Sequence, residues 1–168
     1  MRYSNIILCM LLIFSQPALG EDIRALLKKA VNEIGDNSQV PIRLPSIIPD
    51  IISKHGVKSV LGKSVSNGYS VSIYYAKEPS NAALAGIISG STLTFESLPN
   101  TVSVKLLKGT NALFRPVQCG GSCAPANIWW QIEGVEYSIQ LKLPSTLREE
   151  EQKKVIVEMA NSMAMVQS

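Results

Sequence analysis

The sequence predicts an α+β fold: a single domain whose antiparallel meander sheet carries an N-terminal and a C-terminal helix packed on one face. Three observations lead there. Apolar residues recur at helical spacing near both ends, over Glu21 to Ile34 and again after Thr146. Between them lie short runs that alternate apolar and polar residues, the clearest being Val135 to Leu143. No repeat, low-complexity tract or linker divides residues 21–168. Helix, strands and helix in one unit form the pattern of an α+β domain.

The elements follow in chain order. Ile23, Leu26, Leu27, Ala30, Val31 and Ile34 share one helical stripe. Glu21 and Asp22 stand at the helix start, where the dipole favours acid, and Gly35-Asp36-Asn37 stop it. Val40 to Asp50 holds Pro41, Pro45 and Pro49, which exclude a long helix or a central strand. An extended edge segment and a helical turn near Ser46 to Ser53 are expected, packed through Ile42, Leu44, Ile47, Ile48, Ile51 and Ile52. Val57 to Val65 and Tyr69 to Ala76 read as strands joined at Ser66-Asn67-Gly68, where Asn-Gly tolerates positive φ. Glu78 to Ser91 shows no clear period; Asn81 to Ile88 reads as a short helix or a loop with an apolar anchor. Leu93 to Leu98, Val102 to Leu107 and Ala112 to Val117 are further expected strands, with turns at Pro99-Asn100 and Lys108 to Asn111.

The stretch from Pro116 to Leu143 organises the rest. Ile128 to Ile132 reads as a strand, Glu133-Gly134 as its turn, and Val135 to Leu143 as the return. Val135, Tyr137, Ile139, Leu141 and Leu143 face the core; Glu136, Ser138, Gln140 and Lys142 face away. After Pro144, Thr146 and Glu149 have capping-box spacing for a final helix with Val155, Ile156, Met159, Ala160 and Met163 inward.

Residues 1–20 read as a cleaved signal peptide: a basic start at Arg2, nine apolar residues from Ile6 to Phe14, and Ala18 and Gly20 as small residues before the cut. Nine residues cover roughly half of the ~20 that span a bilayer, so no membrane span is expected in the mature chain. Cys9 lies inside the apolar run, not at its end, which excludes lipidation. The domain is then 21–168, and loss of Arg2 takes the net charge from +3 to +2, too little to argue for nucleic acid.

Loss of Cys9 leaves Cys119 and Cys123, which an oxidising compartment would join. A redox dithiol usually has C-x-x-C spacing at a helix start; this pair brackets Gly-Gly-Ser before a strand, which favours a structural staple. His55, the only histidine, sits in a basic segment with Lys54 and Lys58 and reads as a surface residue rather than a catalyst. Glu133 and Glu136 flank a turn, not a cleft. Phosphate-loop, dinucleotide and His-Glu-x-x-His zinc motifs are absent from the sequence, so neither cofactor nor metal is expected. Trp130 goes inward with Ile128 and Ile132; Trp129 shares the other face with Gln131, where it stacks on a neighbour or marks a partner site. Tyr74, Gln140 and Lys142 join Trp129 as candidate partner contacts on the sheet's wet face.

Leu44-Pro-x-x-x-Pro49, the Gly109 turn, Trp130, Glu133-Gly-Val-x-Tyr137 and a closing helix from Glu149 to Ala164 resemble an uncharacterised extracytoplasmic domain of bacteria, found in secreted proteins, lipoproteins and the outer segments of anti-sigma-type proteins. The resemblance runs from Val40 to Ala164 and implies an α+β sheet domain outside the cytoplasm with no assigned activity. The expected function is a soluble, exported, non-enzymatic module, periplasmic or secreted, that binds a protein or small ligand of the envelope. An envelope enzyme and a thiol-redox accessory protein using Cys119 and Cys123 are the rival classes.

Overall fold

The computed structural model describes residues 21–94 and 99–165, apart from the side chains of residues 21, 22, 164 and 165. The leader expected over residues 1–20 lies outside them. Helix α1 is Glu21–Ile34, closed by a 3-10 turn at Gly35–Asn37. Strand β1 (Arg43–Pro45) and one helical turn, α2 (Asp50–Ser53), follow. Then come β2 (Ser59–Val65), β3 (Gly68–Tyr74), β4 (Leu84–Ser91), β5 (Val102–Lys105), β6 (Asn111–Arg115), β7 (Gln118–Cys119), β8 (Cys123–Ala124), β9 (Ala126–Ile132) and β10 (Val135–Leu141). Helix α3 (Glu149–Asn161) and β11 (Met163–Met165) complete the domain.

Seven strands form one antiparallel sheet in the order β2-β3-β4-β10-β9-β6-β5. Two meanders meet where β4 pairs with β10, and the central β9–β10 hairpin lies inside the sheet. Its turn takes the positive φ of Glu133 and Gly134, 52° and 79°. On one face, Val71, Ile88, Ile139, Ile128 and Phe114 stand opposite one another on successive strands, each fully buried. Burying each stabilises the fold by about 1.5–3 kcal/mol. Helix α1 lies over the β2 end of this row, and the α3 residues Ile156, Met159 and Ala160 close it toward β9 and β10.

The row ends at Gly62, opposite Val71, because α1 leaves no room for a side chain. A Cβ there would stand 1.9 Å from the Ala30 carbonyl oxygen. The Gly62 N–H donates to the Glu33 carboxylate at 2.9 Å, so α1 also satisfies part of the outer edge of β2.

The proline-bearing segment is held by two tyrosines. Tyr69 Oη donates to the Arg43 carbonyl at 2.8 Å and accepts the Arg43 N–H at 3.0 Å. Tyr137 Oη donates to the Pro41 carbonyl at 3.1 Å, while the Arg43 guanidinium lies over the Tyr137 ring at 5.3 Å. Gly90 makes room for both rings, since a Cβ there would stand 2.6 Å from Tyr69 and 3.1 Å from Tyr137. Past Arg43 the chain pairs with β11, Arg43 opposite Met165 and Pro45 opposite Met163.

Several expectations need correction. Leu84–Ser91 is a strand between β3 and β10, not a short helix or loop. Its inward Gly86 and Gly90 give way to Leu141 and to the tyrosine rings, so the alternation carries no bulky residue at those places. Leu93 and Thr94 are not in a strand, and 95–98 of the expected Leu93–Leu98 strand lies outside the described residues. The helical turn expected over Ser46 to Ser53 is confined to Asp50–Ser53 because Pro49 precedes it. Asn67 keeps a negative φ; the turn is Ser66-Asn67, and Gly68 already pairs with Val65. The final helix is capped at Arg148, not Thr146: the Glu151 carboxylate accepts the Arg148 N–H at 2.9 Å and its guanidinium at 3.0 Å. Met163, expected on the inward stripe of that helix, belongs to β11.

Gly62→Ala should destabilise the protein by about 3 kcal/mol, because backbone rather than a movable side chain opposes the new methyl; urea unfolding measures it. Burial pushes the Tyr69 phenol well above its ordinary value, with the Arg43 main chain opposing the shift. Tyr137 and Tyr75 are raised by burial as well. A raised folded value means that the unfolded chain loses its phenol protons first. Stability is therefore complete below about pH 10 and falls as pH rises above it. Tyr69→Phe should cost about 1–3 kcal/mol at neutral pH through the lost hydrogen bonds and make the alkaline decline shallower. Unfolding midpoints across the alkaline range test both.

Candidate functional site

The cysteine loop is built first. Strand β6 runs past Pro116 into β7, and β8 returns past Pro125 into β9, so β7 and β8 extend the β6–β9 hairpin beyond the sheet. Cys119 pairs with Cys123 directly across that ribbon and a disulfide joins them, the Cα atoms 4.0 Å apart. All five residues of the loop, Cys119 to Cys123, are exposed. Buried Gln152 of α3 anchors the base. Its Oε1 accepts the Val117 N–H at 2.8 Å and its Nε2 donates to the Leu147 carbonyl at 2.7 Å. The sequence reading missed Gln152 because charged residues surround it, although it stands one turn before Ile156 on the inward stripe.

The second candidate set occupies the sheet face turned away from the helices. Gln140 pairs with Asn127 and Asn127 with Arg115; Ser138 pairs with Trp129. This face largely covers itself. Ser138 bonds Ser89 between hydroxyls at 2.8 Å, and the Arg115 guanidinium lies 5.5 Å over the Trp129 ring. Ser138 keeps 9% of its surface and Trp129 8%. Trp129 is therefore stacked on a neighbour within the sheet, and Ser138 is not on a wet surface. Gln140 and Tyr74 are half-buried; Lys142 is exposed and its Nζ donates to the Ala82 carbonyl at 3.3 Å. Tyr74 lies on β3, with β4 between it and Gln140 of β10; Lys142 follows the end of β10.

A third region went unnoticed in the sequence. The start of α1, residues 47–55 and the outer side of α3 enclose a half-open groove of about 850 Å³. Its apolar part includes Ile23, Ile47, Ile51 and Val155; Asp50, Lys54, Lys154 and Glu158 are among the charged groups around it. A second recess of about 460 Å³ continues past Ile51 and His55 to Tyr75, Leu143 and Pro144. His55 lines both and stands edge-on to the Tyr75 ring, centroids 5.6 Å apart. Lys54 pairs with Asp50 at 3.3 Å. Ser53 also lines the larger groove, but its hydroxyl donates to the Asp50 carbonyl at 3.4 Å rather than to His55. Among the described residues, no three His, Cys, Asp or Glu side chains gather as metal ligands would. The groove offers apolar contact and a mixed-charge rim, which is the equipment of binding.

Native protein should take up no label from a thiol-alkylating reagent, and two labels per chain after strong reduction, read by intact mass. The ring is small, so reduction should lower stability by only about 2 kcal/mol and leave the fold intact. Label entering the native protein would overturn the staple.

The chain matches no protein family, no curated protein and no solved structure.

Proposed function

We propose that this chain is a soluble, exported, non-enzymatic binding module of the periplasm or the extracellular medium, and that its binding site is the groove around Ile51 and His55. The observation that carries the reading is the groove's composition: isoleucines and a valine form the floor, and charged side chains form the rim. Such a site holds apolar side chains of a partner or the apolar body of a ligand, while the rim fixes orientation. The leader pattern of residues 1–20 and the Cys119–Cys123 disulfide support export. The absence, among the described residues, of a helix long and apolar enough to cross a membrane accords with a soluble mature chain. One observation favours the thiol-redox reading as a rival: both half-cystines are open to solvent.

Mature protein immobilised through its C-terminus and exposed to envelope extract should retain a partner or ligand. Ile51→Glu should reduce that retention at least tenfold with little change in melting temperature, because Ile51 is only partly buried. Equal retention by both proteins would remove the groove from the reading. Retention that survives Ile51→Glu but is lost when Cys119→Ser and Cys123→Ser are combined would favour the redox rival.

A further inference from the structure

The two edges of the seven-stranded sheet are treated differently, and the difference points to a partner. At the β2 edge, α1 supplies the Glu33 carboxylate to the Gly62 N–H, and Ser64 Oγ donates to the Asn37 carbonyl at 3.0 Å. The β5 edge has no such cover among the described residues. The Leu106 N–H donates to the Thr110 carbonyl at 2.9 Å, so residue pairs two positions back, Val104 with Ala112 and Val102 with Phe114, are the hydrogen-bonded ones. The main-chain groups of Ser103 and Lys105 therefore point outward, away from β6. Both residues are exposed, and neighbouring Val102 keeps 40% of its surface.

Beside this edge lies a groove of about 360 Å³ between β5 and α3. Val104 and Val157 are its apolar lining, with Lys105, Lys153, Lys154 and Glu150 around them. Lys153 is neutralised by Glu150 at 2.6 Å. Among the described residues no carboxylate forms an ion pair with Lys105 or Lys154, and the groove lining, three lysines to one glutamate, is net positive. The turn after β5 is fixed to α3, since the Leu107 N–H donates to Asn161 Oδ1 at 2.8 Å. Edge and groove are thus held together.

We propose that the β5 edge binds an extended, acidic segment of a partner protein by strand addition. The segment would pair its main chain with the outward groups of Ser103 and Lys105. One set of alternate side chains, apolar, would turn into the groove onto Val104 and Val157; the other set, acidic, would lie on the face of Lys105, and Lys154 at the groove's rim would add to the field that draws the segment in. A second copy of this chain is the poorer occupant. Pairing β5 with β5 would bring two sets of Lys105 and Lys154 together, and like charges across a strand pair destabilise it. The two grooves share Lys154 at their rims, but Ile51 belongs to the larger one alone and Ser103 to the β5 edge alone, so substitutions at those two positions let the two readings fail separately.

The test uses the mature protein and a short capped peptide alternating valine and glutamate, with a valine–lysine peptide as control, measured by calorimetry. The acidic peptide should bind, at least tenfold more tightly than the basic one, and weaken as salt is raised. Ser103→Pro removes an outward N–H and spares the pairing with β6; edge strands tolerate proline there. It should weaken binding at least tenfold. Lys105→Glu with Lys154→Glu, which leaves the main chain untouched, should do the same. Ile51→Glu should have no effect on this peptide. No binding of the acidic peptide, equal affinity for both peptides, or full affinity in a folded Ser103→Pro protein would each overturn the proposal. So would a concentration-dependent dimer in sedimentation that Ser103→Pro abolishes.

Discussion

A segment with prolines at three of nine positions cannot tie itself into a sheet, and here two tyrosine hydroxyls do the tying. Prolines remove main-chain donors, so the segment needs bonds from elsewhere. Tyr69 and Tyr137 reach it from β3 and β10, across the β4 glycine that clears space for both rings. Much depends on that clasp. It sets the path of residues 41–43, therefore the start of β1 and the descent through Ile47 and Ile48 into α2. Those residues are one wall of the large groove. Removing a hydroxyl would loosen the groove before it loosened the sheet.

The sheet solves its two faces in different ways. One is closed by helices and the proline segment, with glycine at the point where α1 comes nearest. The other has no second layer among the described residues. It is shielded instead by the cation stacked on Trp129, the serine pair between β4 and β10, and half-buried amides. Short polar side chains between strands keep such a face hydrogen-bonded without an apolar cover. The accessible chemistry is pushed to the margins: the groove beside α2, the cysteine ribbon and the β5 edge.

Where side-chain size and period agree, the sequence reading and the structure coincide. Helix α1 has the expected limits and stripe, and β9 and β10 turn at Glu133-Gly134 as read. The reading failed where a position is occupied for what it leaves empty. Gly86 and Gly90 look like loop residues, yet they admit Leu141 and the tyrosine rings. Trp129 follows the alternation, but its burial comes from Arg115 on the next strand, which no local pattern reveals. The cap of α3 slipped by two residues because Glu151, not Glu149, reaches back. The large groove was invisible for a plain reason. Ile23, Ile51 and Val155 come from three separate parts of the chain, and only the tertiary fold brings them together.

The pairing of β1 with β11 has a consequence in time rather than in space. Residues 43–45 must find residues 163–165, a contact across roughly 120 residues of chain. Such a closure carries a large loop entropy, and contacts of this kind slow folding. During synthesis, the N-terminal meander β2-β3-β4 can assemble while β11 has not yet emerged. The edge of β4 that receives β10 then stays open until most of the chain is out. In that interval the nascent protein shows bare strand to its surroundings, and a holding chaperone would find its substrate there.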